Sequence, residues 1–395
     1  MTRVPMLDLK SEYDYMKQEI DSAIRRCLEH QKWIFGPEIK EFEDAVAGYL
    51  GVKHCIGVSS GTDALVLSLR ALAIQRKGKE YFDRRDEILT TSFTFTATGD
   101  AILRAGATPV FVDIDPETYN LDANKARDYI TSSPDSRVVG IIPVHLYGQS
   151  CNMDELTGIA REFSLFLVED VAQAFGGTWK NKKLGSLGDT GAFSFFPSKN
   201  LGGFGDAGMI ATKDDGIAEL LRMLLKHGGK DKYNVDHIGY NSRLDTLQAA
   251  ILLAKFKFID EFNDRRKQLA EVYTTELSSV EELILPGTSQ SSHPADTSLA
   301  SARHVFHQYT VRTPRRDALQ EYLTKKGIGT MVYYPFPLHK MKVFSGRMKA
   351  GGDLFNAELA AGEVLSLPIE PLQDQDVSRY CIDSIKNFFT GTQSI

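Results

Sequence analysis

The sequence has little cysteine, no long apolar run and no large basic cluster. Its cysteines lie far apart and form no CxxC pair, which predicts buried free thiols in a reducing cytoplasm and excludes a disulfide framework or a zinc site; they are Cys27, Cys55, Cys151 and Cys381. No segment is long and apolar enough for a bilayer, and charges interrupt the opening MTRVPMLDLK, so we expect a cytoplasmic, unexported protein with no membrane partner. The formal net charge of −6 and the shortness of basic pieces such as KNKK argue against nucleic acid and favour small-molecule ligands.

Seven short β-branched runs lie between Lys53 and Thr212, separated by amphipathic stretches. The runs are HCIGVSS, DEILTTSF, TPVFVDID, VVGIIPVHL, SLFLVED, TGAFSFF and AGMIAT. Several are almost continuously apolar, which is typical of strands covered on both faces in a mainly parallel sheet. TDALVLSLRALAI and MDELTGIAREF have apolar residues at helical spacing, with Thr62 and Asp154 near their starts as expected of N-caps. The pattern predicts an α/β domain.

The hydrophobic pattern of the sequence changes after Gly239. The segment NSRLDTLQAAILLAKFKFIDEFNDRRKQLAEVYTTEL predicts one long helix joining two domains. The Ser- and Thr-rich segment Gly287 to Ala302 is expected to be a mobile surface loop. The next three segments are predicted to be the strand, helix and strand of a compact α+β unit: HVFHQYTVRT, RDALQEYLTKKGIGT and MVYYPF. We therefore predict a large domain over 1–255 and a small C-terminal domain over 256–395.

Two polar features follow predicted strands. In SSGTDAL, residues 59–65, a helix begins at once after a strand, so its N–H groups could bind an anion; an ordinary N-cap at Thr62 is the alternative. In LVEDVAQAFG, Glu169 and Asp170 close an apolar strand at the sheet edge where α/β proteins bind ligands. A carboxylate there could hold a positive ring nitrogen or cap the next helix. No histidine or cysteine has metal-ligand spacing nearby, so we predict no metal.

The third feature is FFPSKNLGGFGDAGMI, which places Lys199 between aromatic residues and glycines. A desolvated lysine has a lowered pKa and attacks carbonyl groups to form a Schiff base, whereas the alternative is a solvated loop lysine. The glycines favour close backbone approach to a bound group. An anion cradle, a strand-end carboxylate and such a lysine are together what pyridoxal 5'-phosphate requires.

These motifs resemble those of the DegT/DnrJ/StrS-type sugar-nucleotide aminotransferases, pyridoxal-phosphate enzymes of the aspartate-aminotransferase fold (fold type I). The similarity runs over nearly the whole chain; its ordered blocks include FGPEIKEFEDAVAGYLGVKHCIGVSSGTDAL, TSFTFTAT, GATPVFVDID, IPVHLYG, VEDVAQAFG, FSFFPSKNLGGFGDAGMI, GYNSRLDTLQAAIL and YYPFPLHK. It implies a large α/β domain with a mainly parallel seven-stranded sheet and a small C-terminal α+β domain.

The resemblance also implies roles for single residues. Lys199 would bind the cofactor covalently and then act as the acid and base, and Asp170 would hold the protonated pyridine nitrogen. Phe95 would stack on the cofactor ring, with Gln173 on its other side. The phosphate would be held by Gly61, Thr62, the backbone of Asp63, and Ser194. Asn241 would reach the phosphate from a neighbouring subunit, which implies a homodimer with shared active sites.

The implied activity is transfer of an amino group from L-glutamate to a keto carbon of a nucleotide-linked hexose. The motifs favour C3, with 4-keto-sugar aminotransferases as the alternative within the class and a non-catalytic ligand-binding or regulatory protein outside it. Arg243 resembles a contact to an acidic group, and Tyr333, Tyr334 and His339 are further substrate candidates. Relatives acting on uronic acids generally have His-Tyr before this proline; Tyr333 removes that cation. The nucleotide, UDP or dTDP, and the choice between uronic acid and 6-deoxy sugar stay open.

Overall fold

The computed structural model describes residues 4–133, 137–231, 233–287 and 302–391. Its described part contains a main sheet of eight strands in the order β1-β9-β8-β5-β4-β2-β3-β11. The strands are β1 His54–Val58, β2 Asp86–Thr91, β3 Thr108–Val112, β4 Arg137–Ile142, β5 Phe166–Asp170, β6 Thr178–Trp179, β7 Lys182–Lys183, β8 Thr190–Ser194, β9 Gly208–Thr212, β10 Tyr309–Arg312, β11 Lys349–Ala350 and β12 Val364–Leu367. In the main sheet β9 is antiparallel to β1 and β8, and the other neighbours are parallel.

All seven strands predicted for the main sheet are present, which confirms the α/β fold, but the count of seven was wrong. The additional β11 is only two exposed residues long and pairs with β3, so it leaves no alternating or apolar pattern in the sequence. The prediction of a strand over MVYYPF was also wrong. Only Met331 forms an isolated bridge there, to Ser366, and the prolines at 335 and 337 have no N–H for a ladder. The small sheet is the antiparallel pair β10 and β12.

The helices pack on both faces of the main sheet and around the small one. They are α1 Leu9–Tyr15, α2 Lys17–His30, α3 Pro37–Leu50, α4 Gly61–Lys77, α5 Thr96–Arg104, α6 Ala123–Ser132, α7 Met153–Glu162, α8 Asp215–Leu224, α9 Thr246–Phe256, α10 Ile259–Leu277, α11 Arg316–Lys325, α12 Phe355–Glu363 and α13 Gln375–Thr390. Within this described part, no helix is both long and apolar enough to cross a membrane.

The single long helix expected after Gly239 is instead two helices, α9 and α10. The chain bends after Phe256, and the N–H of Phe258 donates to the carbonyl of Lys255 in a tighter turn. The bend directs Phe256 toward the rings of Phe42 and Tyr49, while Phe258 packs on another aromatic cluster beside Tyr15. Burial of two rings in different places therefore overrides the continuous helical periodicity of the sequence.

Apolar cores cover both faces of the main sheet and surround the small sheet. On β5, Leu167 belongs to the core on one face of the main sheet, and Phe166 and Val168 belong to the core on the other. This alternation also puts Asp170 on the face opposite Glu169. A third core surrounds the small sheet. Most of its residues come from α10 and later elements, but it also includes Val4 near the N-terminus. The division at residues 255 and 256 stays a prediction, and residues 288–301 of the expected surface loop lie outside the described residues.

Candidate active site

The strand register brings the predicted site residues to one edge of the main sheet. Val58 ends β1 and pairs with Gly208, which in turn pairs with Ser194 at the end of β8. Asp170 ends the adjacent β5 and pairs with Ala192. Gly208 packs against the turn before α4, and a Cβ atom there would lie 2.4 Å from the carbonyl of Ser60. Only glycine permits this close approach.

The N-terminus of α4 contacts this edge. Ser60, not Thr62, is the N-cap, and its Oγ accepts the Asp63 N–H at 3.1 Å; Thr62 lies inside the first turn, so the expected cap was misplaced. A Cβ atom on Gly61 would lie 2.6 Å from the Ser194 Cβ, which places Ser194 directly beside the helix start. Within the described part, the N–H groups of Gly61 and Thr62 have no acceptor, whereas that of Asp63 is engaged by the cap.

Asp170 is a buried carboxylate with two fixed hydrogen bonds. Its Oδ2 accepts from Thr98 Oγ1 at 2.9 Å, and its Oδ1 accepts from the Ala172 N–H at 3.1 Å. Burial raises the pKa of this carboxyl, and the two hydrogen bonds and the charge of Lys199 act against that rise. Thr98 was not among the predicted site residues, although it ends the quoted block TSFTFTAT; a threonine in a helix carries no local signal for such a contact.

Glu169, the other carboxylate of the sequence motif, has a structural role on the opposite face. Its oxygens accept the N–H groups of Gly185, Leu187 and Gly188 at 2.7 to 2.9 Å, which fixes the loop before β8. Its Oε2 also lies 3.2 Å from Nε2 of the buried His145. The strand alternation therefore leaves Asp170 as the carboxylate of this pair that faces the site.

Lys199 lies in the turn that follows β8. Its backbone N–H donates to the carbonyl of Phe196 at 2.8 Å, and its side chain is partly buried. Burial lowers the pKa of Lys199 to about 8, although the negative charge of Asp170 acts to raise it. The lysine is therefore close enough to Asp170 for the two charges to interact, and an appreciable fraction of it is uncharged near neutral pH.

Phe95, Gln173 and Tyr334 meet above this edge. Phe95 is 56% exposed at the start of α5, and its ring centroid lies 6.1 Å from that of Tyr334. Gln173 Nε2 donates to the Tyr334 hydroxyl at 2.9 Å, and its Oε1 accepts the Tyr147 N–H at 2.7 Å. The Tyr147 hydroxyl donates to the carbonyl of Tyr333. Tyr147 was not predicted, although it lies in the block IPVHLYG; it links the segment of Tyr333 and Tyr334 to the sheet edge.

Asn241 and Arg243 flank a residue that contacts the start of α4. Between them, Ser242 has its Oγ 3.0 Å from that of Ser59, and its carbonyl accepts the Ser59 N–H. Arg243 forms a bridge with Val58, and its buried Nε has no acceptor among the described residues. Asn241 is exposed. The segment therefore lies beside the helix start, with Asn241 directed to the surface of the protomer.

His339 has a side-chain partner on α12, and its contact with a substrate stays a prediction. Its Nε2 lies 2.9 Å from Glu358 Oε1, an oxygen that Lys340 Nζ also approaches at 2.8 Å. The imidazole therefore takes part in a local cluster with α12, while its buried Nδ1 has no partner among the described residues. The sequence could not show this contact, because Glu358 lies 19 residues away.

One group in the described residues has the composition of a metal site: Cys27, His30 and Glu38. The Arg26 guanidinium already lies 2.8 Å from Glu38 Oε1. The Lys32 N–H donates to His30 Nδ1, so in the neutral ring the proton is on Nε2, the nitrogen that faces Glu38. A metal would need that nitrogen unprotonated and would meet the guanidinium charge, so hydrogen bonding accounts for this cluster.

The residues at this edge fit pyridoxal 5'-phosphate. Two N–H groups at a helix start, with the Ser194 hydroxyl beside them, suit a phosphate. Asp170 offers a buried acceptor for a protonated ring nitrogen, Phe95 offers an exposed ring face, and Lys199 offers an amine of lowered pKa. The fit rests on complementary chemistry at each point of one continuous edge.

Residues 14–386 match the model of the DegT/DnrJ/EryC1/StrS aminotransferase family. The chain is 42% identical over 387 residues to a Geobacillus stearothermophilus "Pleiotropic regulatory protein", covering 98% of each. It is 39% identical to a dTDP-3-amino-3,4,6-trideoxy-alpha-D-glucose transaminase of Streptomyces venezuelae, covering 98% of this chain and 96% of that protein. It is also 40% identical to a UDP-N-acetyl-3-dehydro-alpha-D-glucosamine 3-aminotransferase of Acidithiobacillus ferrooxidans, covering 96% of each.

Solved structures are similar over almost the whole chain. S. venezuelae DesV superposes with a TM-score of 0.89 at 37% identity, covering 100% of both chains. Bacillus subtilis NtdA, solved with bound cofactor PMP, superposes with a TM-score of 0.86 at 30% identity, covering 99% of this chain and 86% of that one.

Proposed function

The chain belongs to the DegT/DnrJ/EryC1/StrS aminotransferase family of pyridoxal-phosphate-dependent sugar aminotransferases, and we propose that it moves an amino group from L-glutamate to C3 of a nucleotide-linked 3-keto-hexose. The balanced reaction is L-glutamate plus keto sugar giving 2-oxoglutarate plus amino sugar. The observation that carries the proposal is the pair formed by the partly buried Lys199 and the buried Asp170 at one sheet edge.

Pyridoxal 5'-phosphate, when bound, supplies an aldehyde for the amine and a ring that withdraws electrons from the substrate carbon. The role of Asp170 is to face the ring nitrogen with a negative charge, which keeps that nitrogen protonated. The role of Lys199 is to provide an amine that loses its proton near neutral pH, so that it can act as a nucleophile and then take up and return a proton. Gly61, Thr62 and Ser194 would hold the phosphate.

The preference for C3 rests on the relatives. Two that are about 40% identical over nearly the full chain have names that specify a 3-amino product or a 3-keto substrate, one linked to dTDP and the other to UDP. Tyr333, Tyr334 and Arg243 are the residues that we expect to contact the sugar or the donor. Tyr333 is a neutral phenol that offers no positive charge to a sugar carboxylate, which favours a sugar without a uronic acid group.

We further infer a homodimer in which Asn241 serves the partner's phosphate site. Asn241 is exposed, as this role requires. Three consecutive apolar residues before α3 are also exposed in the protomer: Trp33, Ile34 and Phe35. Exposure of such an apolar patch to water is unfavourable, which supports its burial against a second copy of the chain.

The proposal is tested by colour and by a substrate panel. Purified protein with pyridoxal 5'-phosphate should absorb visible light, and L-glutamate should bleach this absorption. Lys199→Ala should stay colourless, whereas the matched control Lys10→Ala, which changes an exposed lysine, should behave as wild type. The bleached protein is then assayed with UDP- and dTDP-linked 3-keto and 4-keto sugars.

Each outcome has a distinct meaning. Absence of visible absorption would overturn the enzyme function and favour a ligand-binding protein, and absence of bleaching would overturn glutamate as the donor. A preference for 4-keto sugars would overturn the C3 assignment. For the dimer, mixing Asn241→Ala with Lys199→Ala protomers should restore part of the activity through hybrids with one intact site; confirmed hybrids without activity would contradict a shared site.

A further inference from the structure

Asn200, the residue after Lys199, is the centre of a buried chain of hydrogen bonds that the proposed function does not use. Its Nδ2 donates to Asn263 Oδ1 at 2.7 Å and to the Val305 carbonyl at 3.1 Å. Its Oδ1 lies 3.0 Å from His307 Nδ1. The side chains of Asn200, Asn263 and His307 are all buried. A polar cluster of this kind is stable only if each group is satisfied.

In this buried cluster, the partners of each side chain determine which atom donates and which atom accepts every hydrogen bond. Asn263 Nδ2 donates to the Phe175 carbonyl at 3.1 Å, which leaves its Oδ1 as the acceptor for Asn200. Both amide hydrogens of Asn200 are then used, so its Oδ1 can only accept, and His307 Nδ1 must carry a proton and donate. Burial and the nearby charges of Lys199 and Arg266 hold the pKa of His307 well below its usual range, so the ring is neutral.

The three residues belong to different parts of the chain. Asn200 follows Lys199 in the turn after β8, Asn263 lies in α10, and His307 precedes β10. His307 is 107 residues from Asn200, yet its ring lies within electrostatic range of Lys199. The chain of hydrogen bonds therefore attaches the Lys199 turn to the segment before the small sheet and to a long helix.

We propose that His307 is a positioning residue for Lys199, which acts through Asn200 by holding the turn that carries the lysine. The inference rests on the proposed function, because it concerns the reach of the Lys199 amine toward an aldehyde. Without the His307 N–H, Asn200 Oδ1 is buried with no donor, and the side chain reorients or admits water to satisfy it. The Lys199 amine then spends less time where it can react.

The test measures the reactivity of Lys199 in the cofactor-free protein. Pyridoxal without its phosphate is the probe, so that the phosphate cradle does not contribute; the adduct is reduced with borohydride and located by mass spectrometry. His307→Leu should slow labelling of Lys199 about tenfold, which corresponds to about 1.4 kcal/mol. His307→Asn, which places an amide N–H where Nδ1 was, should label within about threefold of wild type.

The matched control is His304→Leu. His304 lies three residues away and accepts the Phe306 N–H, but it has no bond to Asn200. This variant should label Lys199 at the wild-type rate. Thermal unfolding of every variant separates lost reactivity from lost folding. If His307 had only a structural role, its substitution would lower the midpoint of thermal unfolding, and His307→Asn and His307→Leu would label Lys199 at the same rate.

The results can overturn the proposal in two ways. It is wrong if His307→Leu labels Lys199 at the wild-type rate, or if His307→Asn is as slow as His307→Leu. If His307→Leu does not fold, Asn263→Ala is used instead, because it removes the side-chain oxygen that accepts from Asn200. Asn263→Ala should slow labelling of Lys199 at least about threefold. An unchanged labelling rate in this variant would overturn the proposal. Wild-type protein that shows neither selective labelling of Lys199 nor visible absorption with the full cofactor would instead refute the proposed function.

Discussion

Thr98 Oγ1 donates a hydrogen bond of 2.9 Å to Oδ2 of Asp170, a residue 72 positions away in the sequence. Thr98 lies in the first turns of α5, and Asp170 closes β5. Because the Ala172 N–H binds the other oxygen, the carboxylate is held in one orientation. This orientation is a property of the folded site and would make the proposed interaction of Asp170 with a ring nitrogen directional.

Removing the charge of Asp170 should cost more activity than removing its hydrogen bond. Asp170→Asn takes away the negative charge that we propose faces the ring nitrogen, and we expect kcat/KM to fall at least about 100-fold. Thr98→Val keeps the shape but removes one neutral donor, so a loss of about fivefold to tenfold is expected. Steady-state kinetics with L-glutamate measure both variants. Equal losses would show that orientation, not charge, is the main contribution of Asp170.

The pH dependence of Lys199 follows from its lowered pKa. With a pKa of about 8, the labelling rate with pyridoxal should rise about tenfold per pH unit below that value and level off above it, since only the uncharged amine reacts. The charge of Asp170 raises the pKa of Lys199, so Asp170→Asn should move the midpoint to lower pH. A midpoint near that of an ordinary lysine would contradict the burial of the amine.

A buried ion pair ties the N-terminal helix to the segment that carries Lys199. Lys255 Nζ lies 2.7 Å from Glu12 Oε1 and donates to the Gly202 carbonyl at 2.6 Å, and the side chains of the pair are 5% and 8% exposed. Glu12→Gln leaves the ammonium buried without a counter-ion, and we expect a loss of about 3 kcal/mol in the free energy of unfolding.

The control for this prediction is Asp14→Asn, which breaks an exposed pair with Lys10 on the same helix. Its cost should stay below about 1 kcal/mol. Urea unfolding at neutral pH measures both variants. Similar losses from Glu12→Gln and Asp14→Asn would mean that solvent reaches Lys255.

The proposed dimer predicts a specific effect of charge at Phe35. Phe35→Asp introduces a carboxylate into the exposed apolar patch before α3 and should shift the protein toward monomers, with loss of activity if Asn241 acts across the interface. Phe355→Asp, at another exposed ring at the start of α12, should leave the oligomeric state unchanged. Analytical ultracentrifugation distinguishes them; dimers of Phe35→Asp at wild-type strength would place the interface elsewhere.

Local patterns were sufficient for seven strands of the main sheet and for the positions of Asp170 at a strand end and Lys199 in the turn after a strand, although the roles of these two residues stay predictions. They were insufficient for β11, which pairs two exposed residues with β3 and has no pattern of its own. They also missed the bend between α9 and α10, where packing of Phe256 and Phe258 in different cores interrupts a continuous periodicity.

The two carboxylates of LVEDVAQAFG also show the difference between what local patterns predict and what only the structure decides. The sequence placed both at the end of a strand, but only the structure shows Glu169 engaged by the loop of Gly185 and Leu187 while Asp170 faces the site. His339 likewise has a partner that only the structure shows, Glu358 on another element, and its contact with a substrate stays a prediction.

The sequence by itself determined the α/β class and the strand ends that carry polar residues, including the turn that carries Lys199, because these depend on residue types within one short segment. Only the tertiary structure decided which groups surround that lysine. The contacts of Thr98 with Asp170 and of His307 with Asn200 join segments 72 and 107 residues apart. Long-range packing fixes such contacts, and it leaves no periodic trace in the chain.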